Sequence, residues 1–136
     1  VAGGGGGVPV YQDVGGYFRG VEAVIDKDYV ASMLARELEA DLFIMLTQVP
    51  MVAENFGRPN QRWLRRMPLG KAREMMESNQ FPPGSMGPKV QASMDFVEAT
   101  GKEVLITDED SLKRALEGQA GTFLTADGEV EYATLS

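Results

Sequence analysis

Asp28-Tyr-Val-Ala-Ser-Met-Leu-Ala-Arg-Glu-Leu38, followed after three residues by Leu42-Phe-Ile-Met-Leu-Thr47, is the stretch that decides the fold. In its first half Val30, Met33, Leu34 and Leu38 recur at spacings of three and four. Arg36, Glu37 and Glu39 fall on the other side, which predicts an amphipathic helix from Asp28. Its second half is apolar from Leu42 to Leu46 without interruption. A run this short, opened by Asp41, predicts a strand covered on both faces, as in a parallel sheet.

Working outward, Val8-Pro9-Val10 and Val21 to Ile25 predict short strands joined through a turn at Gly15-Gly16. Residues 48–67 carry Pro50, Gly57, Pro59 and Asn60 and predict a long loop or short hairpin. Pro68 suits the first position of a helix running to about Glu77, and Asn79 to Gly87 is a loop. Pro88 is expected to open a further helix that buries Val90, Met94 and Val97 and stops at Gly101. Glu103 to Thr107 predicts a strand, and Asp108 to Glu117 a short helix. Thr122 to Thr125 and Glu129 to Leu135 flank Ala126-Asp127-Gly128, whose Asp-Gly pair predicts a hairpin turn. Strands alternating with helices give an α/β layout around a mostly parallel sheet, with ligands expected beyond the carboxyl ends of the strands.

The chain has 136 residues, 43% apolar and 24% charged, which suits one compact domain. Its net charge of −7 argues against nucleic acid as a partner. With no cysteine, disulfides and thiolate chemistry are excluded; with no histidine, so are Ser-His-Asp mechanisms and imidazole metal ligation. Phosphoryl transfer tolerates this restriction, because positioning and charge stabilisation carry most of its catalysis. No apolar run approaches the roughly 20 residues of a membrane span, and the start lacks the pattern of a signal peptide. The sequence begins Val1-Ala2 and enters Gly3 to Gly7 at once, which suggests an excerpt starting at a strand end.

Lys27 and Lys89 carry the chemical interest. Lys27 lies between Asp26 and Asp28 where a helix begins, and Lys89 at the second position of the helix expected from Pro88. A cation at a helix N-terminus opposes the dipole by a few tenths of a kcal/mol to about one. A phosphate bound near Lys89 would receive backbone N–H groups, the dipole and an ammonium together, with Gly84 and Gly87 leaving the backbone bare. Local alternatives stand beside this: a solvated Lys27 paired with its neighbours, Asp28 as a helix N-cap, and glycines present only for turning or as a flexible junction. Neither a Walker-type phosphate loop nor a complete G-x-G-x-x-G pattern occurs.

Several stretches together resemble carbamate kinase, in the amino-acid-kinase superfamily: GGGGVPV (Gly4 to Val10), GVEAVIDKD (Gly20 to Asp28), NFGRPNQR (Asn55 to Arg62), FPPGSMGPKV (Phe81 to Val90), FVEATG (Phe96 to Gly101) and ALEGQAGT (Ala115 to Thr122). The resemblance implies a three-layer αβα sandwich. It also implies an ATP-dependent phosphotransferase that interconverts ATP plus carbamate with ADP plus carbamoyl phosphate. Residues 1–136 would then be the C-terminal, nucleotide-binding half, with the N-terminal half, its Gly-Gly-Asn phosphate loop and much of the carbamate site lying outside. The isolated chain is expected to be nearly inactive.

By the same resemblance Lys27 contacts the transferring phosphate, Asp28 orients the active-site lysines, and Lys89 meets the nucleotide phosphates. Gly4, Gly5 and Gly6 lie near the phosphoryl group. Ala53, Phe56 and Met86 line the adenine pocket, with Thr47, Ser85 and Gly87 also at the nucleotide. Mg²⁺ accompanies ATP or ADP, no protein metal ligand being named. A cytoplasmic homodimer in arginine metabolism, without nucleic-acid or membrane partners, completes what is implied. Pro50 stands where the family usually has an acidic residue or Asn, Gln48 where it often has Asp, and Ala126 to Ser136 runs past its expected end. Two other functions fit the same residues: a paralogue acting on another acyl or phosphate acceptor, and a non-catalytic nucleotide-binding module.

Overall fold

A computed structural model describes Gly3, residues 9–81 and residues 84–133. The expected strand residue Val8, the glycines Gly4, Gly5 and Gly6, and the end of the expected last strand lie outside the described residues.

Strands β1 (Val10–Gln12) and β2 (Phe18–Gly20) form a separate antiparallel ribbon, exposed throughout. Asp13 ties its turn, accepting from Gly15 N–H at 2.9 Å, Tyr17 N–H at 3.0 Å and Arg19 Nε at 2.9 Å. The Arg19 guanidinium, with the Tyr17 and Gly15 amides, holds the Asp13 carboxyl below its ordinary value. The strand expected over Val21 to Ile25 is corrected to irregular backbone: Val21 N–H donates to Pro9 O, Ala23 N–H folds back onto Val21 O, and Val24 is fully exposed. Its β-branched composition favours extension, but among the described residues no strand lies beside it.

Helix α1 (Lys27–Glu37) starts as its sequence dictates. The Asp26 carboxylate accepts from Asp28 N–H at 2.8 Å and caps the first turn. It stops through Glu39 in the left-handed region (φ 52°), with Glu39 N–H on Arg36 O and Ala40 N–H on Ala35 O. Lys102 Nζ then satisfies the carbonyls of Glu39 and Ala40 at 2.8 and 3.0 Å. The continuous apolar run becomes β3 (Phe43–Leu46), as expected.

Within 48–67 the short hairpin exists, pairing β4 (Ala53–Glu54) with the start of β5 (Arg62–Pro68). Strand β5 is more than a hairpin arm, because it runs on into the sheet and buries Leu64 and Met67 completely. Helix α2 (Leu69–Glu77) comes directly after it, with Pro68 as its N-cap, one residue outside the expected helix start. Helix α3 (Met86–Thr100) begins two residues before Pro88, with Ser85 as N-cap, and ends at Gly101 (φ 69°). Pro88 sits in the first turn without penalty, since amides there lack intrahelical partners. Lys89 is therefore the fourth helical residue, not the second. Strand β6 (Val104–Thr107), short helix α4 (Leu112–Leu116), β7 (Thr122–Thr125) and β8 (Glu131–Ala133) complete the chain.

The sheet runs β3-β6-β7-β5, with β3 parallel to β6, β5 parallel to β7, and β6 antiparallel to β7. Register places the remaining strands. Trp63 faces Ala53 on one edge and Ala133 on the other, and Arg66 faces Phe123 and Glu131. So β4 and β7 share one edge of β5 and β8 covers the other. At their junction Val52 N–H donates to Thr122 Oγ1 at 2.8 Å, and Thr122 Oγ1 donates to Leu64 O at 2.5 Å.

The expected terminal hairpin is corrected by this pairing. The turn at Asp127-Gly128 is present, but both edges of β7 are taken, by β6 and β5, so β8 pairs with β5.

Strand pleating divides the apolar residues between two faces. Phe43, Met45, Val104, Ile106 and Leu124 join the main core, shared with Ala72 and Met75 of α2 and Val90, Phe96 and Val97 of α3, and Ala31 and Ala35 of α1 pack against it. Leu105, Ile44 and Phe123 face the other way, toward Ala115 of α4 and Ala120. Three layers result, helices on both faces of an α/β sheet, as the resemblance implied.

Candidate active site

The parallel strands β3 and β6 end at Leu46 and Thr107, and just beyond them opens a cleft of about 750 Å³. Asp26 and Asp28 at the start of α1 form one wall, and Gly84, Ser85, Met86, Pro88 and Lys89 at the start of α3 another. Leu46 to Val49 and Glu109 lie along the strand ends, while Met51, Ala53, Phe56, Gln80 and Phe81 form an apolar recess. Two helix N-termini thus face one cavity, and each favours negative charge there.

Across this cleft Lys89 Nζ meets Asp28, at 2.9 Å from Oδ1 and 3.3 Å from Oδ2, joining residues 61 apart in sequence. Both side chains are about three-quarters buried (24% and 21% exposed), so the pair is better shielded than a surface ion pair. An ammonium has three donors and Asp28 engages only one side of it. The next contact, Met45 Sδ at 3.9 Å, is weak. The remaining donor capacity is what an incoming anion would use. Around the next turn Ser93 Oγ donates to Lys89 O at 2.7 Å, and Ser32, one turn after Asp28, is fully buried. Small residues at these positions let α1 and α3 approach closely. Burial, followed by the charges of Asp95, Asp26 and Asp28, raises the Tyr29 hydroxyl above its ordinary value.

The apolar recess is braced from behind. Phe56 packs edge-on against Trp63, with ring centroids 6.1 Å apart. Beside Ala53, Glu54 bonds Lys71 Nζ at 2.7 Å and accepts from Tyr132 Oη at 3.2 Å. Arg62 stacks over the Tyr132 ring at 3.3 Å.

Of the residues singled out in the sequence, Asp28, Thr47, Ala53, Phe56, Ser85, Met86 and Lys89 line one cleft. Gly87 lies between two lining residues in the first turn of α3. Lys27 is exposed at the first position of α1, outside the lining, and makes no ion pair among the described residues. Gly4, Gly5 and Gly6 lie outside the described residues. The sequence reading missed Asp26, Met51, Gln80 and Glu109. Glu109 was findable, since it follows a strand at its carboxyl end. Gln80 sits in a polar loop that carries no local signal.

A metal fits this cleft only in company. Among the described residues no three acidic side chains are placed to hold a metal ion, and Asp28 is already engaged by Lys89. One or two carboxylates plus phosphate oxygens form an ordinary Mg²⁺ environment, and Asp26 and Glu109 are the carboxylates placed to contribute.

The family model described as the amino acid kinase family matches residues 1–108. The chain belongs to the amino acid kinase family. Within that family its similarity is to carbamate kinases. A carbamate kinase-like protein of Escherichia coli K12, YahI, is 44% identical over 124 residues, covering 91% of this chain and 39% of its own length. The carbamate kinase of Thermococcus kodakarensis is 44% identical over 122 residues, 90% of this chain and 38% of its own. Among solved structures, the Giardia lamblia carbamate kinase bound to AMP-PNP superposes with a TM-score of 0.82 at 38% identity, covering 90% of this chain and 43% of that one. A UMP kinase of Bacillus anthracis, at 14% identity and a TM-score of 0.59, shares the fold alone. The chain thus spans about two fifths of the length of the curated relatives it matches. Among the described residues, no helix is long and apolar enough to cross a membrane.

Proposed function

We propose that this chain is the nucleotide-binding part of a carbamate kinase-like phosphotransferase, moving a phosphoryl group between ATP and carbamate. The observation that carries the reading is the Asp28–Lys89 pair at the meeting of two helix N-termini, over a cleft with an apolar recess on one side. An ATP or ADP base would enter the recess between Phe56, Ala53 and Met86. Its phosphates would then lie toward Ser85 and Lys89, where first-turn amides and the ammonium together offset their charge.

Asp28 fixes the Lys89 ammonium before the nucleotide arrives, so little reorganisation remains when charge develops on the transferring group. Lys27, exposed at the rim and one residue from Asp28, is assigned to the transferring phosphoryl oxygens on the far side. Two ammonium groups flanking a loose transition state neutralise its equatorial oxygens, and carbamate, already an anionic nucleophile, needs no strong base. Mg²⁺ bound with the nucleotide would be held with help from Asp26 and Glu109 and would supply further charge neutralisation at the phosphates. The glycines Gly4, Gly5 and Gly6 are assigned to the same phosphoryl group, and the carbamate contacts to sequence outside this chain, in keeping with its share of the relatives' length. The complete enzyme is read as a cytoplasmic homodimer.

The test is ATP formation from carbamoyl phosphate and ADP by the full-length protein, with Lys89→Ala and Lys27→Ala beside it. Each substitution is expected to lower turnover by at least about 10²-fold, the scale for removing a preorganised electrostatic group. A near-normal rate in either variant removes that lysine from the chemistry. No ATP from the intact protein, with another acyl acceptor supporting turnover, would move the assignment to a paralogous kinase.

A further inference from the structure

Gln80 is held at both ends. Its backbone N–H donates to Met75 O at 3.0 Å, and Asn79, in the left-handed region at φ 53°, donates to Met76 O at 3.1 Å. These two bonds close the C-terminus of α2 and fix where Gln80 stands. Its side chain reaches across to the end of β4, where Oε1 accepts from Asn55 N–H at 2.9 Å. Asn55 is itself in the left-handed region (φ 54°), directly after the last residue of β4.

A backbone N–H can only donate, so the oxygen of this amide must be the atom facing it. The NH₂ group is thereby committed to the other side. Gln80 lines the cleft beside Ala53, Phe56, Phe81 and Met86, and among the described residues its NH₂ donates to nothing. The described residues around it here are apolar, and a polar group placed in such a recess can fix a ligand's orientation.

From this geometry we propose that Gln80 is a base-reading residue: its side-chain NH₂ donates a hydrogen bond to a ring nitrogen of the adenine. The inference rests on the nucleotide-binding reading above and adds to it an atom-level contact. Adenine presents unprotonated acceptors at N1, N3 and N7, any one of which a fixed NH₂ can meet. A site built to make a hydrogen bond discriminates against a ligand that lacks the partner atom.

The experiment measures binding of ADP and of 1-deaza-, 3-deaza- and 7-deaza-ADP to the chain by calorimetry, for the parent, Gln80→Leu and Gln80→Glu. Each analogue replaces one ring nitrogen by C–H. In the parent, one analogue is expected to bind more weakly than ADP by about 3- to 10-fold, the value of one ordinary hydrogen bond. In both variants that penalty should vanish. Gln80→Glu keeps the acceptor for Asn55 N–H and so preserves the turn where Gln80→Leu does not. A purely structural role would weaken ADP and every analogue by the same factor and leave the penalty in place, which would overturn the proposal. If ADP binds but no analogue differs from it, the base contact falls while the nucleotide reading stands. If ADP does not bind the parent, both fall.

Discussion

Lys71→Met isolates the ion pair that braces the apolar recess. Lys71 Nζ lies 2.7 Å from Glu54 and 2.8 Å from Glu74, with the Lys71 and Glu54 side chains only 12% and 18% exposed and Glu74 at 65%. Methionine keeps the apolar stem and removes the charge. The contact to exposed Glu74 is worth at most about 0.5 kcal/mol. The charge-assisted bond to shielded Glu54 is worth about 1.5–3 kcal/mol, because its loss leaves a half-desolvated carboxylate with the Tyr132 hydrogen bond and the Arg62 charge. The sum predicts a loss of about 1.5–3.5 kcal/mol at neutral pH, or about 5–12 °C in melting temperature for a chain of this size.

The pH dependence gives a second readout. Glu54 is held below its ordinary 4.5, first by the hydrogen bond from Lys71. A depressed carboxyl contributes stability above its unfolded value and loses it as pH falls through the folded one. The gap between parent and variant should therefore shrink as pH falls below 4.5 and on through the lower folded value. At the alkaline end, burial pulls the Lys71 ammonium down, but Glu54 and Glu74 outweigh it and leave it above 10.5. That contribution is complete below 10.5 and lost as pH rises through the folded value. Adding Glu54→Gln to Lys71→Met should recover about 1 kcal/mol, since no orphaned charge then remains. Urea denaturation across pH measures all three. A loss under about 0.5 kcal/mol, or one that persists undiminished near pH 3, would refute the reasoning.

Other substitutions test the sheet and the site. Leu64→Ala, at a fully buried position of β5, should cost about 2–5 kcal/mol in denaturant unfolding; a loss typical of an exposed strand would contradict a central β5. Gly121→Ala should cost about 2–5 kcal/mol, combining a left-handed φ of 75° with a Cβ only 2.6 Å from the buried Leu105 Cδ1 and 3.1 Å from Ala115 Cβ. Asp28→Asn should leave the chain folded yet lower ATP formation by the full-length protein at least about 10-fold, because Lys89 loses its anchor. An unchanged rate would remove Asp28 from the chemistry and leave it only an acidic residue in the first turn of α1, paired with Lys89.

Local physics made much of the fold legible in advance. Helix α1 carries its own period, its Asp26 cap lies one residue upstream, and the short apolar run Leu42 to Leu46 forms the strand its length suggests. Gly101 ends α3 as its left-handed φ requires. Strand β5 was hidden because its Arg62, Arg65 and Arg66 interrupt any apolar alternation. Their partners lie far along the chain: the Tyr132 ring, Gly118 O and Glu103. The final hairpin failed for a related reason: Asp-Gly specifies a reversal of direction, not which strand the returning segment joins. Here β5 and β6 had already taken both edges of β7.

The candidate site divides in the same way. Sequence alone determined the chemical inventory, namely two lysines at helix starts, glycines beside one of them, and no histidine or cysteine to suggest another chemistry. Only the tertiary structure decided that Lys89 meets Asp28 across 61 residues, that Lys27 stands outside the cleft lining, and that Gln80 turns an amide into the recess. Propensity, period and capping act over a few residues and are written locally. Which side chains share a cavity depends on strand order and helix packing, and those are set by burial summed over the whole chain.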